Sequence, residues 1–395
     1  MDRIPMSSPD LTATEVAAVL DVLRTPQLSL GPRNEAFEGA FAEYLGAPLA
    51  AGVSSGTAGL HVALIAAGVA DGDMVITTPF SFVASANCIL YERAVPIFVD
   101  VDSATGNIDP AQVAGAAGDL MRGGSAAERW LPPRLRQTES LKLGRLKAIL
   151  PVHAFGQPAD MDSILAVAHE HALFVIEDAC EAVGAQYKSR KAGTLGDISV
   201  FAFYPNKQMT TGEGGMVVTA RQDWGAVVRS LRNQGRDTHS PWLHHSRLGF
   251  NYRLDEMSAA LGHAQLQRIE ELLARRESVA GWYNQRLRSV PGIEVPHIAS
   301  ATTRMSWFVY VVRIQPPASR DEVARMLAEE RIPSRPYFSP IHRQPFYVER
   351  FGYRDGHFPV AEWLGNTCLA LPFSGIMSEE QVDTVCDRLR RIVLR

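Results

Sequence analysis

Cysteine is scarce: only Cys88, Cys180, Cys368 and Cys386 occur in 395 residues, and no two of them form a C-x-x-C pair. That spacing excludes a disulfide framework or a cysteine-based zinc site, so buried thiols are expected. A basic excess is also missing. Against 39 Lys and Arg stand 43 Asp and Glu, a formal net charge of -4, and no run of basic residues is threaded with aromatics. Nucleic acid is therefore not an expected partner. The residues from Met1 to Asp10 carry neither a charged head nor an apolar run. No secretory signal and no membrane span are expected, and the cytoplasm is the expected location. The dinucleotide fingerprint G-x-G-x-x-G is absent too, which argues against a Rossmann-type module binding NAD.

What remains is an ordinary globular composition, 46% hydrophobic and 21% charged. A chain of this length exceeds what one core supports, so two unequal domains are expected. Thr12 and Glu15 are spaced as a capping box, with Val16, Val19, Leu20 and Leu23 on one face of the helix that follows. A second helix, near Asn34 to Leu45, stops at Gly46. Apolar runs then alternate with helical patterns, as in βαβ units: strands are expected at Leu49–Val53, Met74–Thr77, Pro96–Val99, Ala148–Val152 and Leu173–Ile176. Between Gly115 and Lys147 a mixture of glycine, arginine and proline breaks the pattern and reads as an inserted surface loop. The segment Gly249 to Met257 is expected to start a long helix that runs to about Glu277, with a smaller α/β unit beyond it.

Three stretches carry chemistry. After the first strand, Ser54-Ser55-Gly56-Thr57-Ala58-Gly59 leads into a helix. Free N–H groups and the helix dipole there favour an anion, and without a P-loop lysine or a dinucleotide spacing a mononucleotide or a cofactor monophosphate fits better. Asp178 closes the strand that ends in Glu177-Asp178-Ala179-Cys180-Glu181, where a carboxylate can cap a helix or hold a proton on a ring nitrogen. Lys207 stands in V-F-A-F-Y-P-N-K-Q-M-T-T-G-E-G-G, between an apolar strand and a glycine turn. Walled by Phe201, Phe203 and Tyr204, its amine would be disfavoured as an ammonium and suited to a Schiff base. Phe82 follows a strand end and could stack on a flat ring. His239, His244 and His245 share a loop, but no cysteine or carboxylate joins them at ligand spacing, so no metal is expected.

These segments together resemble the DegT/StrS type of sugar aminotransferase, within the fold type I pyridoxal phosphate enzymes related to aspartate aminotransferase. The likeness spans nearly the whole chain. It is carried by S-S-G-T-A-G-L-H from Ser54, P-F-S-F-V-A-S-A-N from Pro79, P-V-H-A-F-G-Q-P-A-D-M-D from Pro151 and E-D-A-C-E-A-V-G-A from Glu177. F-Y-P-N-K-Q-M-T-T-G-E-G-G from Phe203, G-F-N-Y-R-L-D-E-M from Gly249 and R-P-Y-F-S-P-I-H-R-Q-P from Arg335 complete it.

The resemblance implies an α/β fold. A large domain, 1–255, would hold a mostly parallel seven-stranded sheet flanked by helices, with a loop inserted at about 116–146. A linking helix, 256–278, and a smaller C-terminal α/β domain, 279–395, would follow. It implies pyridoxal 5'-phosphate, and its pyridoxamine form, as cofactor. Lys207 would bind it, Asp178 would pair with its ring nitrogen, and Phe82 would stack on it. Gly56, Thr57 and Ala58 would cradle the phosphate, Glu181 would lie near the ring oxygen where the family often has glutamine, and Asn251 would reach the cofactor of a neighbouring subunit. A homodimer with shared sites follows from that last role. Arg253, Tyr337 and His342 would face substrate.

Two further points follow from the resemblance. Ala202 stands where the family often has a serine on the phosphate, which removes one hydrogen bond worth about 1 kcal/mol. The lysine, in place of the histidine of related dehydratases, implies transamination. The implied activity is conversion of a keto sugar, carried on a nucleotide, to an amino sugar with L-glutamate as donor. A keto-cyclitol aminotransferase and a non-catalytic regulator that binds pyridoxal phosphate are the alternatives. Arg236, Arg247 and Arg335 are candidates to meet a diphosphate.

Overall fold

A computed structural model describes residues 4–137, 143–237, 241 and 243–395. His239 and residues 138–142 of the expected insertion lie outside them. Seven strands build the main sheet: β1 Ala50–Val53, β2 Met74–Thr77, β3 Val95–Phe98, β4 Leu146–Ile149, β5 Phe174–Asp178, β6 Ile198–Ala202 and β7 Gly215–Thr219. Their order is β1-β7-β6-β5-β4-β2-β3, and only β7 runs antiparallel to its neighbours. Both faces are covered by helices, which is why β1, β2 and β3 are buried throughout and, Thr77 apart, apolar instead of alternating. The parallel run puts the carboxyl ends of β5 and β6 beside the start of helix Gly56–Ala66, which follows β1.

The capping box forms as expected: Thr12 and Glu15 cap helix Ala13–Leu23 reciprocally. Its apolar stripe does not turn inward. Val16, Leu20 and Leu23 are exposed, and the buried residues are Val22 and Glu15. The inward face is polar because Glu15 accepts hydrogen bonds from Gln265 and Arg268, which tie this helix to helix Glu256–Gln267. Burial alone would raise the Glu15 carboxyl; the hydrogen bonds from Thr12, Arg268 and Gln265 outweigh it and hold it down at about 2.

Two expectations about the frame fail. The stretch from Gly115 does not begin a loop: helix Pro110–Arg122 crosses from β3 toward β4, capped by Asp109 and burying Val113, Ala116, Ala117 and Leu120. Gly115 and Gly118 lower its helix propensity and concealed it, while burial of that stripe overrides the propensity. Nor is the later helix continuous to 278. It breaks at Arg268, whose guanidinium pairs with Asp10, Glu15 and Glu271, and restarts as Ile269–Leu287.

That second helix packs on an antiparallel sheet of Ile293–Glu294, Tyr310–Ile314, Cys368–Leu371 and Arg335–Pro336, in that order. Helices Arg320–Glu329 and Glu379–Val393 complete this smaller α/β layer, and Ile4 from the other end of the chain sits in its core. A third small sheet, Gln186–Tyr187, Arg190–Lys191 and Thr302–Arg304, joins the two parts. Among the described residues no helix is long and apolar enough to cross a membrane.

Candidate active site

A cleft of about 1310 Å³ opens where β5, β6 and the start of helix Gly56–Ala66 meet the smaller layer. Asp178, the last residue of β5, is 4% exposed at its floor. Its Oδ2 accepts from Ser85 Oγ at 2.7 Å and its Oδ1 from the Cys180 N–H at 3.1 Å. Ser81 Oγ in turn donates to Ser85 Oγ at 3.1 Å, so the carboxylate is oriented by a short hydroxyl chain from the segment opening helix Ala84–Tyr91. Ser85 lay inside the motif from Pro79, four residues after Ser81 and so on the same side of a helical turn, but nothing in the sequence marked it as a partner of Asp178.

β6 ends at Ala202, and alternation along it decides what the lysine sees. Phe201 and Phe203 point away from the cleft, packed on Phe37 and Phe41. They do not wall the lysine, contrary to expectation; Ala202 and Tyr204 line the cleft instead. The turn after Lys207 returns the chain as β7, with Gly215 opposite Ala202. The ring that does face the amine comes from the smaller layer: Lys207 Nζ lies 3.7 Å from the ring centroid of Phe308 and 3.6 Å from Glu181 Oε1. No sequence spacing connects Phe308 with Lys207, which is why it was missed. Glu181 also accepts the Phe155 N–H at 2.9 Å. Burial pushes its carboxyl up, and the Lys207 ammonium pulls it the other way.

At the opposite wall, helix Gly56–Ala66 starts with Ser55 as its cap. A Cβ on Gly56 would stand 2.7 Å from Ala202 Cβ and 2.8 Å from Cys180 Sγ, so only glycine lets this helix end meet β6. Gly56 and Thr57 line the cleft, and their N–H groups belong to the first turn, which has no intrahelical acceptors. Ala58 departs from expectation: it is buried, does not line the cleft, and its N–H is donated to Ser55 Oγ at 3.1 Å. Cys180 departs too, since it lines the cleft and is only half-buried, whereas the other three thiols are buried. Phe82 presents its ring at 64% exposure in the cleft wall.

The remaining candidates separate. Tyr337 lines the cleft; burial, then the Glu181 charge, raise its hydroxyl. His342 does not line it. Its ring is fully buried, with Nε2 3.0 Å from Glu362 Oε1, because the loop turns inward there to join helix Pro359–Thr367. Asn251 is exposed and bridges to Asn233, and Arg253 donates to Asn233 Oδ1; neither lines this chain's cleft. Arg247 is tied to Asp237, and the arginine in the cleft wall is Arg350. With Tyr91 and Phe346 it forms the outer end. Among the described residues no cluster of His, Cys, Asp and Glu could hold a metal ion.

The residues fit pyridoxal phosphate. A helix end with first-turn amides, closed against a strand where no Cβ is tolerated, suits a phosphate. An exposed aromatic face, a pinned carboxylate and an amine surround the same space.

Comparison with known proteins agrees. Residues 9–390 match the DegT/DnrJ/EryC1/StrS aminotransferase family. GDP-perosamine synthase of Caulobacter vibrioides is 39% identical over 398 residues, covering 100% of this chain and 99% of that protein. The spore coat polysaccharide biosynthesis protein SpsC of Bacillus subtilis is 35% identical over 403 residues, covering 99% and 97%. Among solved structures, S. venezuelae DesV in complex with a ketimine intermediate matches with a TM-score of 0.87 at 31% identity, covering 100% of both chains.

Proposed function

Since the chain belongs to the DegT/DnrJ/EryC1/StrS aminotransferase family and is a pyridoxal phosphate-dependent keto-sugar aminotransferase, we propose that its keto sugar is carried on a nucleotide and that L-glutamate is the amino donor. The observation that carries this reading is the outer end of the cleft. The cleft, at about 1310 Å³, is larger than the roughly 300–1,000 Å³ of ordinary small-molecule pockets, and extends beyond Lys207 and Asp178. The surplus is walled by Tyr91 and Phe346, whose rings are half-exposed, and by Arg350. Among the described residues no carboxylate forms an ion pair with Arg350; its guanidinium lies 6.0 Å from the Phe346 ring centroid. A flat base and an anionic linker match aromatic rings and an uncommitted guanidinium.

Within the inner end, Lys207 Nζ would hold the cofactor and, once freed by the amino donor, would serve as the base that takes the proton from the donor's Cα. Asp178, fixed by Ser85 and the Cys180 N–H, would keep a proton on the ring nitrogen. Phe82 would face the ring, and the Gly56 and Thr57 amides would take the phosphate. When bound, pyridoxal phosphate supplies the electron sink for the developing carbanion. Glu181, beside Lys207 Nζ, gives the amine a counter-charge. Asn251, exposed on this chain, completes the site of a second copy, so the working unit is a homodimer. Ping-pong kinetics follow from the two half-reactions.

The test is a panel of nucleotide-linked keto sugars and free keto-cyclitols, incubated with protein and glutamate while 2-oxoglutarate is followed. Release with nucleotide-linked substrates is expected. Turnover of free cyclitols alone would replace this reading.

A further inference from the structure

We infer that Arg276 is a positioning residue for Lys207: from helix Ile269–Leu287 its guanidinium joins the backbone that carries the amine to the backbone that carries the ring facing it. The inference rests on reading Lys207 as the cofactor lysine. Arg276 is 4% exposed, and among the described residues no carboxylate lies within ion-pair distance. Its partners are four carbonyls in two segments. Nη1 donates to Trp307 O and Phe308 O, each at 3.2 Å. Nη2 donates to Asn206 O at 3.2 Å and to Lys207 O. The first pair precedes the strand Tyr310–Ile314 of the smaller layer, and the second lies in the turn after β6.

Burying a cation with no carboxylate in direct contact is costly, and here the cost is offset by the four carbonyls it bonds. Burial pushes its ionisation down to about 10, partly offset by the charge of Asp10, so it stays charged at neutral pH. A planar fork with two separate terminal amino groups serves both segments at once, one group to each; a lysine would offer a single point head in its place. The smaller-layer segment shows that it is held. Trp307 has φ of 51°, the left-handed region that a residue with a Cβ keeps only when its surroundings enforce it. The ring that follows, Phe308, is the one 3.7 Å from Lys207 Nζ. The clamp therefore sets the relation between the amine and its aromatic neighbour, and couples any shift of the smaller layer to the lysine. Arg276 touches neither substrate nor reacting atoms.

The experiment compares wild type with Arg276→Lys, Arg276→Gln and Arg276→Met, each loaded with pyridoxal phosphate. Three quantities are read: melting temperature, the pH midpoint of the absorption band of the lysine-bound cofactor, and kcat separated from KM. In whichever variants fold, the midpoint should move and kcat should fall about tenfold or more, as misplacement of a reacting group by a fraction of an ångström does. KM for the nucleotide-linked sugar should change less than kcat. A folded variant with lower melting temperature but unchanged midpoint and kcat would make Arg276 a stability element only and overturn the inference. Failure of all three to fold would do the same. Wild-type protein that forms no lysine-bound band would sink the reading of Lys207 itself, a distinguishable result.

Discussion

At the inner end of the cleft the three groups assigned to the chemistry are each held by another. Asp178 is fixed by Ser85 and a backbone N–H, Glu181 by the Phe155 N–H and Lys207, and the backbone of Lys207 by Arg276. At the outer end, Tyr91, Phe346 and Arg350 are exposed, and among the described residues their side chains are placed by ring contacts instead of hydrogen bonds: Tyr91 against His61, Phe346 against Tyr347, and Arg350 over Phe346 and Phe351. Chemistry needs reacting groups preset to a fraction of an ångström, whereas recognition of a large substrate tolerates side chains that settle on contact. The comparison implies that changes at the inner end act on kcat and changes at the outer end on KM.

The comparison breaks most severely at Lys207. Lys207→Ala should reduce transamination to background and leave no borohydride-fixed cofactor, shown by mass spectrometry of the peptide, while the fold persists. A residual adduct at another lysine would relocate the site. Asp178→Asn keeps the shape but not the charge, and kcat should drop about 10²- to 10⁴-fold with cofactor content maintained. Arg350→Ala, at the outer end, should leave the glutamate half-reaction unchanged and raise KM for a nucleotide-linked sugar about tenfold, or roughly 1.4 kcal/mol. A fall in the glutamate half-reaction with Arg350→Ala would erase the distinction between the two ends.

Glu181 offers a smaller effect with a definite sign. Its carboxyl is raised above the ordinary 4.5 by burial, so across the interval between those values the folded state keeps a proton that the unfolded chain has lost. Cofactor-free protein should therefore lose stability as pH rises through that interval, and Glu181→Gln should remove that part of the slope in melting temperature. An unchanged slope would mean that the Lys207 ammonium compensates the burial fully.

The inner end was largely legible because its groups lie at or within a few residues of strand ends, where the chain turns at the edge of the sheet. Asp178, Lys207, Phe82, Gly56 and Thr57 all line the cleft, whereas Ala58, next to Thr57 on the helix, does not. Partners from distant segments were not legible. Arg276 meets Lys207 across 69 residues, and Phe308 reaches it from another layer. The aromatic wall was assigned to Phe201 and Phe203 because apolar spacing shows that residues alternate but not which face is the cleft. His342 failed because a loop between proline residues carries no period, and its inward turn is decided by Glu362, twenty residues on. For helix Ala13–Leu23 the apolar stripe was read correctly as a stripe, yet this chain leaves it uncovered.

The mildest change sharpens the comparison by adding a contact. Ala202 lines the cleft next to Gly56, at the end of β6 where the helix amides point. Because Gly56 has no Cβ, a hydroxyl added at position 202 meets no side chain from that residue. Ala202→Ser should then supply one hydrogen bond to the phosphate, about 1 kcal/mol, or roughly fivefold tighter cofactor binding. The gain should appear in the rate of cofactor loss on dialysis, with kcat at saturating cofactor unaltered, because the phosphate is held equally before and after the proton moves. If retention is unchanged, the phosphate is not seated between Ala202 and the helix start, and the assignment of Gly56 and Thr57 falls with it. If kcat changes instead, the phosphate anchor and the reacting groups are mechanically linked, and the inner end acts as one rigid unit from Gly56 to Lys207.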